Sequence, residues 1–383
     1  MNLETLRNEI NDIDEQIIKL FCRRMEIVEQ VADFKIRNGL PVYHPDREHQ
    51  VIEQVSRKAG PRLADSAKVL YTTIIDVSKS LQHKRMAQIS QEMGLCDKIA
   101  DAIQTSSKDS SATAQVACQG VEGAYSFEAC HKLFLQPDIS FFPTFEGVFD
   151  AVDSGKCQYG VVPIENSSAG SVTAVYDLMK RYNLFITKGV KLKIDHCLLT
   201  KSDMPLDCIT DVYSHEQALG QCAEFFKEHP NIRVHVYSNT AAAAKMVSES
   251  DNPHIAAIAS KACAKLYGLH IVKEHLQFSQ VNYTRFICIS KRMTILDGAD
   301  KISISLRLPH VTGSLYQMIT RFAVNQLNLT KLESRPLADT DFEFQFYFDF
   351  EGSVKNQNVL DLLRSLDYEL DSFQFLGNYC EIS

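Results

Sequence analysis

In the first part of the sequence, a helical apolar pattern is interrupted by side chains that could bind an anion. Arg24 stands where the pattern calls for another Leu or Ile, and its neighbours at three and four residues are apolar. Because an unpaired buried charge is very costly, Arg24 needs a partner from another element. Lys35 lies on the same edge, and Ser78 and Gln82 are spaced to face one way on a later helix. Two interpretations stay open: interhelical salt bridges, or a cationic pocket that holds a small dianion.

A second group of candidate residues lies in the middle of the sequence. Thr284 and Arg285 interrupt the apolar run "VNYTRFICIS", although a Thr suits a strand and an Arg can extend from its edge. Polar residues also follow four predicted strands, where open α/β sheets bind ligands and helix N-termini offer N–H groups to anions. A plain helix cap explains any one cluster, but four together favour a site. The clusters are Glu165-Asn166-Ser167-Ser168, Ser214-His215, Asn239-Thr240 and Ser260-Lys261.

Residues 1–92 are predicted to be all-α and to position the first group. The apolar seam consists of Leu3, Leu6, Ile10, Ile13, Ile17, Leu20, Ile27, Val31 and Phe34. A helix with this seam would be about 50 Å long at ~1.5 Å per residue. It cannot bury the seam alone, so it requires a partner helix, for which we expect a second chain. A shorter helix capped by Asp46 and a third helix with Ser78 and Gln82 follow.

Two further regions follow a predicted linker at 93–114, whose segment "TSSKDSSATAQ" is small, polar and low in complexity. Residues 115–292 alternate short apolar runs with helical stretches, which predicts an α/β domain. Residues 300–383 give the order strand, helix, strand, strand, helix, strand, which is typical of the α+β ferredoxin-like fold. The phenylalanines at every second position of 342–350 predict a strand with one strongly apolar face.

The composition limits the class of protein. A formal charge of −8 argues against nucleic acid as the main partner, so a small anionic substrate needs a locally positive pocket. Eleven Cys without a C-x-x-C pair suit a reducing compartment. There is no Cys/His cluster with zinc spacing, no signal peptide and no apolar run that could span a bilayer. We predict a cytoplasmic protein with no metal, no cofactor and no membrane partner.

Residues 1–90 closely resemble the all-helical class of chorismate mutase, an intertwined homodimer. The matching positions are Arg7, Arg24, Lys35, Arg47, Glu48, Ser78 and Gln82. One position departs from the pattern, because His44 stands where relatives often carry Asp, which concerns substrate affinity rather than activity. The reaction implied, chorismate to prephenate, is pericyclic and needs no nucleophile, base or cofactor. A protein accelerates it by holding the compact conformer and stabilising charge on the ether oxygen.

The resemblance implies roles for these residues. Arg7 would enter the partner subunit's site, Arg7 and Arg24 would clamp carboxylates, and Arg47 would add positive charge nearby. Lys35 and Gln82 would donate to the ether oxygen. Glu48 would accept from the ring hydroxyl, and Ser78 would contact the substrate.

Residues 115–290 resemble prephenate dehydratase, a two-lobed, periplasmic-binding-protein-like α/β fold. The segments "GVEGAYS", "VVPIENSSAGS", "DHCLL", "YSHEQALGQC", "AAIAS", "LYGL" and "NYTRF" match in order. The resemblance makes Thr284 catalytic. Prephenate must lose carbon dioxide and its ring hydroxyl, so the enzyme must supply a proton to the departing hydroxyl and donors for the carboxylates.

Thr284 is a poor acid alone, so we expect it to relay or orient a proton from Glu165. His215 and Gln221 are expected to be supporting donors, and Asn166 and Ser167 to be substrate contacts. Arg285 is expected to bind a carboxylate or to make a structural pair.

The last region resembles an ACT regulatory domain of the dehydratase type. "KLESRPL" retains the family's E-S-R-P signature, where phenylalanine binds. The other half of that site is usually Gly-Ala-Leu-Val and here is "GSLY", so Tyr316 is the main departure and would alter inhibitor affinity. The expected effector residues are Gly313, Ser314, Leu315, Tyr316, Glu333, Ser334, Arg335 and Pro336.

In this order the three regions resemble the bifunctional chorismate mutase–prephenate dehydratases of phenylalanine biosynthesis. The implied partners are chorismate, prephenate and phenylalanine as feedback inhibitor, in a homodimer or higher homo-oligomer. A dehydratase acting on arogenate would look much the same in sequence. A non-enzymatic amino-acid sensor is disfavoured by the intact T-R-F and I-E-N-S motifs, and a dehydrogenase by the lack of G-x-G-x-x-G after a predicted strand.

Overall fold

A computed structural model describes residues 2–42, 44–89, 94–106, 114–278, 281–337, 343–370 and 372–382. The chain divides into two compact units. The first unit comprises Met1–Ala100 and Ile304–Gln374, and the second comprises Asp101–Ser303 and Phe375–Ser383.

The N-terminal part is helical, as predicted: α1 (Leu3–Arg37), α2 (Pro45–Ala59), α3 (Ala64–Ile89) and α4 (Leu95–Ser106). The side chain of Asn2 caps α1 by accepting from the Thr5 N–H at 2.8 Å. Pro45 is the first residue of α2, where its missing N–H costs nothing, and Asp46, the predicted cap, lies inside the helix. Helix α4 lies inside the predicted linker, and it forms because Ile99 and Ala102 are buried.

The strands are, in chain order, β1 (Ala114–Gln119), β2 (Pro137–Phe142), β3 (Tyr159–Asn166), β4 (Gly170–Ser171), β5 (Phe185–Lys193), β6 (Cys197–Thr200), β7 (Asp211–Ser214), β8 (Arg233–Val236), β9 (Ile255–Ala259), β10 (His270–Lys273), β11 (Tyr283–Ser290), β12 (Lys301–Arg307), β13 (Leu329–Pro336), β14 (Phe344–Glu351), β15 (Phe373–Tyr379) and β16 (Glu381–Ile382). The remaining helices are α5 (Tyr125–Leu133), α6 (Phe145–Asp153), α7 (Thr173–Arg181), α8 (Glu216–Gln221), α9 (Ala223–Glu228), α10 (Thr240–Glu249), α11 (Lys261–Tyr267), α12 (Ser314–Val324) and α13 (Gln357–Glu369).

The second unit is an α/β structure with two sheets. The larger sheet has the order β16-β5-β11-β3-β1-β2, with β4 paired to β3. The smaller sheet has the order β10-β6-β9-β7-β8. Strand β11 is central, since it pairs antiparallel with both β3 and β5. Thr284 is therefore opposite Asn166 on one side and Leu192 on the other.

Strands β12 to β15 form a four-stranded sheet of order β13-β14-β12-β15. With helices α12 and α13 this gives the predicted ferredoxin-like arrangement. In β14, Phe344, Phe346, Phe348 and Phe350 lie on one face, as predicted. The alternate residues Gln345, Tyr347 and Asp349 are also buried.

Candidate functional site

Helices α1 and α3 bring Arg24 and Ser78 together. Arg24 Nη1 donates to Ser78 Oγ, and this hydroxyl donates to the Ile74 carbonyl at 2.6 Å. Burial lowers the pKa of Arg24, although Tyr71 opposes the effect. Within residues 2–42 and 44–89, the hydrogen-bond partner of Arg24 is thus a neutral hydroxyl rather than a carboxylate. This favours the anion-binding interpretation of Arg24 over a salt bridge.

Gln82 lies one turn beyond Ser78 on α3 and is buried. Its Nε2 donates to the Ser78 carbonyl at 3.3 Å, while Oε1 has no hydrogen-bond partner among the described residues. Oε1 can only accept, while Nε2 has a second N–H besides the one that it gives to the Ser78 carbonyl. Gln82 therefore has one amide position available to a ligand beside Arg24 and Ser78.

Lys35 of α1 and Glu48 of α2 belong to a charged cluster of the same helical part. Lys35 Nζ donates to the Val42 carbonyl at 2.7 Å, and burial lowers the pKa of Lys35 while Glu48 raises it. Glu48 Oε2 lies 3.2 Å from Lys79 Nζ, which is also 3.1 Å from Asp76 Oδ1. Burial opposes the charge on Lys79, but these two carboxylates raise its pKa. Lys79 is a member of the cluster that the sequence did not single out.

Arg7 and Arg47 are exposed and lie outside this hydrogen-bonded cluster. The apolar seam of α1 is exposed as well. Ile17 exposes 58% of its surface and Leu20 exposes 67%. The exposed apolar residues of α1 are Leu3, Leu6, Ile10, Ile13, Ile17, Ile18, Leu20, Ile27, Val31 and Phe34. In this single chain the seam is uncovered, as expected for a helix that needs a partner.

The second unit contains a cavity of about 570 Å³ between its two sheets. Its polar lining includes Gln119, Ser126, Asn166, Ser171, Thr173, His196, His215, Gln217, Gln221, Ser238, Asn239, Thr240 and Thr284. Four of the predicted dehydratase residues are therefore brought to one cavity, namely Asn166, His215, Gln221 and Thr284.

A chain of hydrogen bonds links these residues. Asn166 Nδ2 donates to Thr284 Oγ1 and to Asn282 Oδ1, each at 2.9 Å. Asn282 Nδ2 donates to Gln221 Oε1 at 3.0 Å, and Gln221 Oε1 also lies 2.9 Å from His196 Nε2. Asn166 Oδ1 accepts two backbone N–H groups, so the orientation of its amide is fixed. Because Thr284 Oγ1 accepts from Asn166, its own hydroxyl proton is directed away from that amide.

The protonation state of His196 follows from the same chain. Gln221 Oε1 can only accept, so His196 Nε2 carries the proton. Burial lowers the pKa of His196, and Gln221 raises it by a smaller amount. His196 is therefore a neutral donor that holds Gln221. Its Nδ1 is buried and has no hydrogen-bond partner within the described ranges.

The anion-binding capacity of the cavity comes from helix N-termini. The first residues of α5, α7 and α10 all line it. Asn239 caps α10 by accepting from the Ala242 N–H at 2.7 Å. Among the described residues that line the cavity, none is Lys or Arg. Positive potential for a carboxylate must then come from free N–H groups and helix dipoles. The predicted cluster at Ser260 is a plain cap of α11 and does not line the cavity.

Glu165, Ser167 and Arg285 are placed elsewhere. Neighbouring strand residues alternate between faces, so Glu165 and Arg285 lie opposite to the face that carries Asn166 and Thr284. Arg285 Nη1 is 4.0 Å from Glu165 Oε2, and Arg285 Nε donates to Glu381 Oε1. Ser167 Oγ accepts from the Tyr283 N–H at 2.9 Å and so anchors the start of β11. This geometry does not support the expected proton relay from Glu165 to Thr284.

The ferredoxin-like region has a separate cavity of about 380 Å³. It is lined by Leu308, Pro309, His310, Val311, Thr312, Ser314, Leu315, Phe344 and Phe346. Gly313 has φ 92°, a conformation that favours glycine, and it turns the chain into α12. Ser314 and Leu315 of the predicted effector site thus line this cavity, and Tyr316 exposes 52% of its surface.

The other predicted effector residues lie on β13. Glu333, Ser334, Arg335 and Pro336 pair with β14, and Ser334 is opposite Phe346. They are not among the described residues that line the 380 Å³ cavity. The two halves of the predicted site are therefore connected through Phe344 and Phe346 of β14.

Several residues of these sites were not among the sequence predictions. His196 lies in the motif "DHCLL" and Asn282 is the first residue of the segment "NYTRF", so both could have been found as polar residues in matched segments. The sequence could not have indicated Lys79, because nothing around it distinguishes it from an ordinary exposed lysine of a helix. In the described part of the chain, no group of His, Cys, Asp and Glu has the arrangement of a metal site. No described helix is long and apolar enough to cross a membrane.

Comparison with known families assigns the two catalytic regions separately. Residues 6–83 match the family "Chorismate mutase type II". Residues 116–294 match the family "Prephenate dehydratase".

Similar proteins carry both regions in one chain. The bifunctional chorismate mutase/prephenate dehydratase of Escherichia coli K12 is 29% identical over 98% of this chain and 96% of its own length. The protein of the same description from Stutzerimonas stutzeri is 30% identical over 98% of this chain and 97% of its own length. Arogenate dehydratase/prephenate dehydratase 2 of Arabidopsis thaliana is 36% identical over 72% of this chain and 75% of its own length.

Two solved structures resemble a large part of this chain. Prephenate dehydratase from Arthrobacter aurescens, in complex with L-Phe, has a TM-score of 0.63 and 28% identity over 70% of this chain and 90% of that one. GqqA, described as a novel type of quorum quenching acylase, has a TM-score of 0.63 and 29% identity over 69% of this chain and 97% of that one.

Proposed function

The chain belongs to the bifunctional chorismate mutase/prephenate dehydratases, and we propose that it converts chorismate to prephenate and then prephenate to phenylpyruvate. Both regions are present in the order found in the full-length relatives. The observation that carries the dehydratase assignment is the placement of Thr284, Asn166 and Gln221 in one hydrogen-bonded chain on a cavity wall.

In the mutase site, Arg24 binds a carboxylate of chorismate. Its support is a neutral hydroxyl, so its charge is available to an anion. Lys35 and the second N–H of Gln82 Nε2 donate to the ether oxygen as negative charge develops there. Glu48, held by Lys79, accepts from the ring hydroxyl. No group needs to transfer a proton or form a covalent bond.

The mutase acts as a homodimer or as part of a higher homo-oligomer. The exposed apolar residues of α1 support this, because a seam of this length is costly to leave in water. A second copy of α1 would cover it in the manner of paired helices. The exposed Arg7 then reaches the site of the partner chain, and Arg47 adds positive charge at the entrance.

In the dehydratase site, Thr284 donates a hydrogen bond to the ring hydroxyl of prephenate as that group departs. It relays a proton from solvent, gaining one proton as it gives one, because its own hydroxyl is too weak an acid to be left ionised. The N-termini of α5, α7 and α10 hold the two carboxylates, since they supply N–H groups where no cation lines the cavity. Asn166 fixes the rotamer of Thr284, and His196 fixes Gln221. Carbon dioxide leaves with its bond electrons passing into the ring, and the hydroxyl leaves as water after gaining a proton.

The ferredoxin-like region is an ACT regulatory domain that binds phenylalanine and inhibits the dehydratase. An apolar cavity beside "GSLY", with Phe344 and Phe346 on its wall, suits an aromatic side chain. The related structure from Arthrobacter aurescens, which is in complex with L-Phe, supports this. Glu333, Ser334, Arg335 and Pro336 complete the effector site from β13.

Arogenate is the second candidate substrate, because the Arabidopsis relative carries that activity in its description. Arogenate has an ammonium group where prephenate has a ketone. Among the described residues that line the cavity, none is Asp or Glu, so no side-chain carboxylate is available there to pair with an ammonium. We therefore favour prephenate as the substrate. We also propose a cytoplasmic location, because its reducing conditions suit eleven free thiols.

Incubation of the purified protein with chorismate alone tests the proposal. Prephenate and then phenylpyruvate should accumulate, with acidification controls to correct for spontaneous prephenate breakdown. Parallel reactions with prephenate and arogenate decide the second substrate. Absence of phenylpyruvate from a folded protein would refute the dehydratase assignment, and absence of prephenate would refute the mutase assignment.

A further inference from the structure

The second unit includes the segment Phe375–Ser383, which is separated in sequence from the rest of that unit, Asp101–Ser303. Strand β16 pairs in parallel with β5, with Glu381 opposite Gly189 and Ile382 opposite Val190. The Gly189 N–H donates to the Cys380 carbonyl at 2.9 Å. Residues 381 and 382 therefore extend the sheet whose next two strands are β5 and the Thr284 strand β11.

Two glycines permit this close packing. A Cβ atom on Gly377 would lie 2.1 Å from the Ile186 carbonyl oxygen. A Cβ on Gly189 would lie 3.3 Å from Tyr379 Cε2 and 3.4 Å from Glu381 Cγ. The segment is thus fitted to β5 rather than resting loosely on it.

Glu381 joins this segment to the strand that carries Thr284. Its Oε1 accepts from Arg285 Nε, and its Oε2 lies 3.0 Å from both Lys191 Nζ and Lys301 Nζ. Tyr379 OH accepts from Arg285 Nη2 at 2.6 Å. Burial opposes the ionised form, but Arg285 and Lys301 lower the pKa of Glu381 to about 2.

Arg285 is next to Thr284 in β11 and is buried. The pairing of β11 with β3 shifts register between Arg285 and Phe286, directly beside the pair of Thr284 and Asn166. Such irregularities aim side chains at sites and must be held by their surroundings. Glu381 and Tyr379 hold Arg285 from the face opposite the cavity.

We propose that Glu381 is a positioning residue of the dehydratase, which acts through Arg285 to fix the place of the Thr284 hydroxyl in the cavity. This inference rests on the proposed dehydratase function. Glu381 does not touch the cavity. Its loss removes a closely bound carboxylate from the buried guanidinium and leaves Glu165 Oε2 at 4.0 Å, so the strand moves to hydrate or re-pair Arg285. A small displacement of a catalytic group lowers turnover strongly, while the helix N-termini that bind the carboxylates stay in place.

The test is steady-state kinetics on prephenate for Glu381→Gln, with Glu228→Gln as the control, because Glu228 is an exposed carboxylate of the same unit. For Glu381→Gln we expect kcat to fall about 10- to 100-fold and KM to change less than about threefold. The control should match the wild type. Mutase activity on chorismate should be unchanged.

A double-mutant cycle separates positioning from plain stabilisation. In an Arg285→Met background, Glu381→Gln should lower kcat by less than about twofold, because the residue through which it acts is already gone. A full additional loss in that background would refute the inference. So would a folded Glu381→Gln protein with kcat within about twofold of wild type.

Tyr379→Phe provides the test if Glu381→Gln fails to fold. This substitution removes the Tyr379 hydroxyl, which accepts from Arg285, and keeps the buried ring. We expect kcat to fall about threefold or more, in line with one lost charged hydrogen bond, and an unchanged kcat would overturn the inference. Wild-type protein that does not consume prephenate would instead refute the proposed function, and this is seen before any variant is compared.

Discussion

The Thr284 hydroxyl is the group whose removal tests the dehydratase mechanism most directly. Val has the shape and strand preference of Thr, so Thr284→Val removes the hydroxyl and little else. The side chain is 9% exposed, and its hydroxyl oxygen accepts from Asn166 Nδ2 at 2.9 Å. The substitution therefore removes the donor to the substrate and one acceptor of Asn166.

The two consequences differ in size. Loss of one well-placed donor to a transition state lowers turnover by about 10²- to 10³-fold. Asn166 keeps its bond to Asn282 Oδ1 at 2.9 Å, so only one of its N–H groups loses a partner. Such a buried unpaired group destabilises the fold by about 1–3 kcal/mol. The dehydratase unit should still fold, with a lower melting temperature.

The assay compares kcat and KM on prephenate for wild type, Thr284→Val and Thr284→Ser, with thermal melts on each protein. KM should change much less than kcat, because other groups bind the carboxylates. Thr284→Ser should retain part of the activity, since its hydroxyl is present but less constrained. A folded Val variant within about threefold of wild type would leave Thr284 as a strand residue only and refute the reasoning.

Four further predictions follow from other parts of the structure. Arg24→Ala should reduce chorismate turnover by about 10²-fold or more and leave prephenate consumption unchanged, and normal mutase rates would contradict its assignment. Ile17→Lys on the exposed face of α1 should yield a smaller species in size-exclusion chromatography with less mutase activity; an unchanged elution volume would argue against that face as the dimer contact. Leu315→Ala should weaken phenylalanine inhibition about tenfold through lost apolar contact, as read from inhibition curves, and equal inhibition would place the effector elsewhere. Burial lowers the pKa of His83 to about 3. Between pH ~6.5 and pH ~3 the unfolded chain therefore takes up a proton at His83 while the folded chain does not, so the free energy of unfolding should decrease as pH falls. Melts of His83→Gln should lose this dependence in that window, and equal slopes for both proteins would contradict it.

Helices and strands whose apolar residues recur at regular spacing could be predicted from the local sequence. The seam of α1 and the apolar runs of β7, β9 and β11 required no tertiary information. Helix α4 was missed because its short apolar pattern merges with the Ser-rich segment that follows it. The lysines of β5 obscure its strand pattern, because their partners are brought near only in the folded chain. Lys188 Nζ lies 4.2 Å from the Phe134 ring centroid, and Lys191 pairs with Glu381.

The dehydratase site was predictable in its members and less so in its geometry. Thr284, Asn166 and Gln221 came from matched segments, and the structure brings them to one cavity. Strand alternation indicates that Glu165 and Asn166 face opposite sides, but only the register of β3 with β11 shows that Asn166 is the one that shares a face with Thr284. The partners of Arg285 could not have been predicted, because Glu381 is ninety-six residues away in the chain. Only the folded chain shows which polar residues meet across such distances.

The second unit is built from two stretches of chain, Asp101–Ser303 and Phe375–Ser383, and this sets an order of synthesis. The ribosome makes the ferredoxin-like region before it makes β16, so the edge of β5 stays open until then. An open strand edge invites pairing with other chains. A nascent or proteolysed chain that lacks residues 375–382 would therefore have an incomplete catalytic sheet. Complete assembly of the sheet that carries Thr284 therefore requires that the region proposed to sense phenylalanine has already been made.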